Sequence, residues 1–134
     1  MAKRVRELYD DTFQETLRGN ELVFVDFYAD WCGPCKAVAP VVERIAREYE
    51  GRIVFGKLST DGNPETASRY RVASVPTLIL FREGTPVTRL NGFQSEPALR
   101  ASLDRYAPPP EENAPAAEVA SGGGLLSRLF GRRS

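Results

Sequence analysis

The sequence predicts a one-domain α/β fold, a mixed β-sheet with helices on both faces and the element order β-α-β-α-β-α-β-β-α. Three observations carry that reading. Residues 22–28, Leu-Val-Phe-Val-Asp-Phe-Tyr, are almost continuously apolar, β-branched and aromatic, as a strand covered on both faces is. Segments with apolar residues at helical spacing alternate with this and other strand-like runs. Residues 77–82 and 87–91 are joined by Glu83-Gly84-Thr85-Pro86, a turn signal at hairpin length, so these two strands should be antiparallel. At 134 residues and 42% hydrophobic content, the chain suits one domain with a real core.

In order along the chain, residues 5–9 read as a short first strand. A helix follows from about Asp11, with Asp11 as N-cap, Gln14 at the capping-box position and Phe13 and Leu17 on one face. Gly19-Asn20 ends it, and residues 22–28 form the central strand. The long helix after Cys32 carries Val38, Val41, Val42, Ile45, Ala46 and Tyr49 on its apolar side. Glu43, Arg44, Arg47 and Glu48 fall outside that stripe. Pro40 lies within the helix and should kink it by removing one N–H and crowding the carbonyl of Lys36. Residues 53–58 make the next strand, and Asn63-Pro64 opens a short helix through Tyr70, with Asn63 as N-cap. After the hairpin, Ser95 caps a last helix with Leu99, Leu103 and Tyr106 in one stripe, stopped by Pro108-Pro109-Pro110. Composition changes at Ala107. We therefore expect a domain over residues 1–106 and a Pro-, Ala- and Gly-rich disordered tail over 107–134. The tail ends in a short basic-apolar segment, Leu125, Leu126, Leu129 and Phe130 with Arg128, Arg132 and Arg133.

Chemistry concentrates in Trp31-Cys32-Gly33-Pro34-Cys35, at the junction of the central strand and the long helix, which holds both cysteines of the chain. A Cys at the first turn of a helix has its thiolate favoured by unpaired N–H groups and the positive end of the dipole. Cys32 is the candidate nucleophile. Cys35, one turn further, can attack a mixed disulfide formed by Cys32, closing a Cys32–Cys35 bridge and releasing a reduced substrate. A structural disulfide over so short a loop would add little stability. Zinc wants about four ligands, and the chain has no His and no other Cys. Two unreactive core cysteines are the remaining bland reading. Without His, Cys-His and Ser-His-Asp hydrolases are excluded. Lys+Arg and Asp+Glu balance at 18 each, which speaks against a nucleic-acid partner. No segment has the length of a membrane span or signal sequence, so a reducing, cytoplasmic setting is expected.

These elements and motifs together resemble the thioredoxin family over about residues 1–106. The likeness runs from Val25-Asp26-Phe27-Tyr28-Ala29 through Trp31-Cys32-Gly33-Pro34-Cys35-Lys36 and Pro40 to Lys57, Ala67, Tyr70, Val72, Val75-Pro76-Thr77, Gly84 and Gly92. The resemblance implies the thioredoxin fold and a general protein-disulfide reductase that maintains cell redox homeostasis. It also implies no bound cofactor, with electrons coming from NADPH through thioredoxin reductase. Partners would be that flavoenzyme and disulfide-containing client proteins, with the chain itself a monomer.

Asp26 is the one charged residue of the central strand, where an ionised carboxylate is unfavourable and its pKa should rise. Backbone donors or a salt bridge to Lys57 would instead satisfy it structurally. The resemblance implies that Asp26 transfers a proton for Cys35, with Lys57 close by. For Val75-Pro76, bare statistics favour trans, whereas the resemblance implies a cis bond lying against the redox pair. It likewise implies that Val75 offers backbone to an extended client segment, and that Trp31, Gly33, Pro34, Val75, Pro76 and Gly92 form the docking surface. On residue type alone Trp31 could equally be core. Tyr28, Asp30 and Phe93 depart from the family's usual residues. The alternative functions are a dedicated reductant for one client, or a non-catalytic adaptor, addressed to its partner by the tail.

Overall fold

The computed structural model describes residues 4–110. Its elements follow the predicted order: β1 (Val5–Glu7), α1 (Phe13–Arg18), β2 (Leu22–Tyr28), α2 (Gly33–Glu48), β3 (Val54–Ser59), α3 (Pro64–Arg69), β4 (Thr77–Arg82), β5 (Thr85–Asn91) and α4 (Glu96–Asp104). The tail segment at residues 125–133 lies outside the described residues, as does the composition-based disorder of residues 111–134.

The five strands form one sheet in the order β1-β3-β2-β4-β5, with β2 at its centre. β2 runs parallel to β3 and antiparallel to β4. Strand alternation then sorts the side chains. Leu22 and Phe24 of β2 pack with Phe55 of β3 and with Val38, Val42 and Ile45 of α2 and Leu99 and Leu103 of α4. Val23, Val25 and Phe27 point the other way, into a cluster with Phe13 and Leu17 of α1, Ile79 and Phe81. Val38 and Ile45 are fully buried, each contributing about 1.5–3 kcal/mol of transfer free energy. By the same parity, Asp26 lies on the α2 side of the sheet, two residues beyond Phe24 toward the start of that helix.

Local details differ from the sequence expectations at several points; β1 stops at Glu7 rather than residue 9, and α4 ends at Asp104, short of Tyr106. α1 is capped by Thr12 rather than Asp11, and without a side-chain cap bond. The Thr12 hydroxyl instead closes the preceding turn on the backbone of Tyr9, while Gln14 donates to the Tyr70 hydroxyl. Asn63 precedes α3 but its side chain does not cap it. That amide bridges Asp10 N–H and Ser59 C=O, and the carboxylate of Asp10 accepts from the N–H groups of Glu65 and Thr66. The cap thus comes from a residue over fifty positions away. Finally, β5 begins at Thr85, leaving Glu83 and Gly84 as a two-residue turn with φ of 50° and 84°. Positive φ at both positions is what a twist-matched hairpin requires, and Pro86 is tolerated because β5 is an edge strand with a register shift near Leu80 and Phe81.

Candidate active site

Cys32 is the N-cap of α2 in extended conformation, and Pro34 occupies the first turn, where a missing N–H costs nothing. Cys32 and Cys35 are joined in a disulfide with Cα atoms 5.3 Å apart, and both are buried. The Cys35 N–H points at Cys32 Sγ, 3.1 Å away. When the bond is reduced, that donor and the helix dipole face the Cys32 sulfur, which favours its thiolate.

Across from the pair, the Val75–Pro76 peptide is cis and sets the Val75 carbonyl oxygen 3.6 Å from Cys32 Sγ. The turn is held by Thr77, whose hydroxyl donates to Ser74 C=O at 2.7 Å, and by Gly92 N–H, which donates to Pro76 C=O at 2.8 Å. Gly92 has φ of 84°, a left-handed conformation that suits glycine. Val75 packs against the Ala29, Cys32 and Cys35 cluster. Trp31 is 71% exposed rather than core, and its indole N–H donates to Asp61 at 2.8 Å. Gly33 and Pro34 are exposed beside it, and Phe93 is half exposed next to Gly92. Of the predicted docking residues, Trp31, Gly33 and Pro34 are exposed, Val75 and Gly92 are partly covered, and Pro76 is buried.

Beneath it sits Asp26, 3% exposed, with Oδ1 buried and without a hydrogen-bond partner. Burial raises its pKa to about 7, against a lowering by the charge of Lys57 and a further rise from Glu7. Lys57 is the β3 register partner of Asp26, yet its ion pair is with Glu7, at 4.0 Å. Neither structural alternative for Asp26, a full set of backbone donors or a closed Lys57 bridge, is therefore seen. A cleft of about 170 Å³ is lined by Asp26, Tyr28, Ala29, Asp30, Cys35, Lys36, Ala39 and Lys57, so Asp26 and Cys35 border one small space. Sequence reasoning missed Asp61, Glu7 and the role of Tyr28, whose contacts depend on pairing between distant segments. Among the described residues, no group of three or more His, Cys, Asp or Glu could hold a metal ion, and no helix is long and apolar enough to cross a membrane.

Comparison with known proteins agrees with this geometry. The thioredoxin family model, described as Thioredoxin, matches residues 4–105. The chain is 46% identical over 96 residues to the thioredoxin of Alicyclobacillus acidocaldarius subsp. acidocaldarius, covering 72% of this chain and 91% of that protein. It is 45% identical over 101 residues to the thioredoxin of Synechocystis sp., covering 75% and 94%. To the thioredoxin of Staphylococcus aureus it is 51% identical over 82 residues, covering 61% and 79%.

Proposed function

The chain belongs to the thioredoxin family and is a thiol–disulfide oxidoreductase, a protein-disulfide reductase, and on that premise we propose that Cys32 attacks, Cys35 resolves and Asp26 takes the proton. The Cys32 thiolate attacks one sulfur of a client disulfide. That S–S bond breaks, a mixed disulfide forms, and the first client thiolate leaves to be protonated by solvent. Cys35 then gives its proton to Asp26 and attacks Cys32 Sγ. The Cys32–Cys35 bond forms and the second client thiolate departs, so two electrons have passed from the dithiol to the client.

A carboxyl with a pKa of about 7 is suited to this task, because near neutral pH it is part ionised and its basicity is far above that of an ordinary carboxylate. The cleft shared by Asp26 and Cys35 supports the assignment. The single observation that carries the reading is the Cys32–Cys35 pair at the start of α2 with Cys35 N–H aimed at Cys32 Sγ. Clients are read through the surface of Trp31, Gly33, Pro34, Val75, Pro76 and Gly92, where the backbone at Val75 bonds an extended segment in a sequence-tolerant way. In this reading electrons return from NADPH through thioredoxin reductase, and the setting is cytoplasmic. An adaptor would need neither cysteine nor Asp26.

The test is insulin reduction, first with dithiothreitol and then with NADPH and thioredoxin reductase. Turnover in both is expected. Turnover with dithiothreitol alone would leave the disulfide chemistry intact and remove the assigned electron donor.

A further inference from the structure

Three strands bring a row of polar side chains to the α2 side of the sheet. Register sets Glu7 of β1 beside Lys57 of β3, and Lys57 beside Asp26 of β2. Tyr28, two residues after Asp26, points to the same side. Its hydroxyl donates to Glu7 at 2.9 Å, and the Lys57 ammonium lies 5.6 Å from its ring centroid. Lys57 Nζ is 4.0 Å from the Glu7 carboxylate, whereas Asp26 Oδ1 has no partner. The Lys57 ammonium thus has a carboxylate on either side of its strand and is paired with the outer one.

We propose that Glu7, fixed in place by the Tyr28 hydroxyl, is a positioning residue that holds the Lys57 ammonium at its own carboxylate and so keeps Lys57 from closing an ion pair with Asp26. The proposal rests on the reading of Asp26 as the proton acceptor for Cys35, since it says how that carboxyl is kept basic. An ammonium closed onto Asp26 would hold it ionised and make it a poor base. At Glu7 the cation keeps water, since the Lys57 and Glu7 side chains are 36% and 30% exposed, and avoids the desolvation that a pair with the buried Asp26 demands. Tyr28 stays a donor throughout the working pH range, because burial first, and then its bond to Glu7, push its phenol well above the usual value. A bond from a neutral phenol to a carboxylate is charge-assisted and orients it. The other groups around Asp26 do not replace this arrangement. Asp30, Cys35 and Lys36 also line the cleft, but Asp26 Oδ1 accepts from none of them, and β4 offers the apolar Leu78.

The test is an NMR titration of the Asp26 carboxyl in the oxidised protein, where the cysteines do not titrate, for the wild type, Glu7→Gln and Tyr28→Phe. Glu7→Gln is expected to lower the Asp26 midpoint by about one pH unit or more, as an opposite charge brought within about 4–6 Å does. Tyr28→Phe, which leaves every formal charge in place, should lower it in the same direction by less. An unchanged or raised midpoint in Glu7→Gln overturns the proposal. So does a fall in Glu7→Gln with none in Tyr28→Phe, since Glu7 would then act as a bare charge and not by position. The pH–rate profile of insulin reduction separates the underlying reading. If the midpoint falls while the profile stays put, Glu7 positions Lys57 but Asp26 is not the proton acceptor; if both move together, both stand.

Discussion

Replacing Asp26 by Asn tests the buried carboxyl through stability as well as rate. In the folded chain its pKa is about 7, against 3.8 for an unperturbed Asp. Between those values the folded state keeps a proton that the unfolded state has lost, so stability falls as pH rises through that window. Below about pH 4 both states are protonated and the penalty vanishes; above about pH 7 it is complete. A difference of about three pH units corresponds to about 4 kcal/mol, and with Asp26 only 3% exposed there is little solvent screening to discount. Asn adds an amide that needs partners, at about 1–3 kcal/mol, but that loss does not depend on pH. The diagnostic quantity is therefore the change in the difference between variant and wild type. Guanidinium chloride unfolding of the oxidised proteins at several pH values from 4 to 8 should show Asp26→Asn gaining about 4 kcal/mol relative to wild type across the range. That is a relative shift in midpoint of about 1–2 M denaturant for a domain of this size. The same variant should reduce insulin more slowly at neutral pH. A stability difference that stays constant from pH 4 to pH 8 would refute the argument that burial has raised this pKa.

Cys35→Ser should accumulate mixed disulfides with clients on non-reducing gels, while Cys32→Ser should accumulate almost none; equal trapping would reverse or void the division of labour. Trp31→Ala should change stability by less than about 1 kcal/mol, since the ring is largely exposed and loses one hydrogen bond to Asp61. It should still raise KM for insulin by about fivefold or more if the indole is a docking anchor. Removing residues 111–134 should leave insulin reduction and the unfolding midpoint unchanged. That cut spares the contacts made by residues 107 and 108, Ala107 N–H to Leu103 C=O and Arg52 to Pro108 C=O, and a loss of turnover would extend the domain into the tail.

What could be read from the sequence was whatever depends on neighbours along the chain. The apolar run of β2, the stripe of α2, the Ser95 cap, which accepts from Ala98 N–H, and the spacing of Cys32 and Cys35 are all local patterns. Asp26 stood out because a charge interrupts an apolar strand. The features that escaped are made by register and by loops meeting across space. Asp10 outcompetes Asn63 for the N–H groups at the start of α3 because the chain after β1 passes that helix end. Trp31 could not be assigned to surface or core until the loop after β3 brought Asp61 to its indole. The Glu7, Tyr28 and Lys57 group exists only once β1 pairs with β3 and β3 with β2.

Position along β2 also decides why residue 26, and not a neighbour on the same face, carries the carboxyl. Two residues earlier, Phe24 is fully buried within the cluster beneath α2 and α4. An acid there would be held neutral by burial, and residue 24 does not line the cleft that Asp26 and Cys35 border. Two residues later, Tyr28 is only partly covered and its hydroxyl meets the Glu7 carboxylate, so an acid at that position would stand against a like charge and give up the bond that orients Glu7. Residue 26 lies between these limits, buried enough to become basic and open to the cleft that reaches Cys35. The burial that raises its proton affinity is the same burial that destabilises the fold above neutral pH. Weakening one by letting Lys57 close onto Asp26 would weaken the other, so a more stable domain made in that way should be a slower reductase.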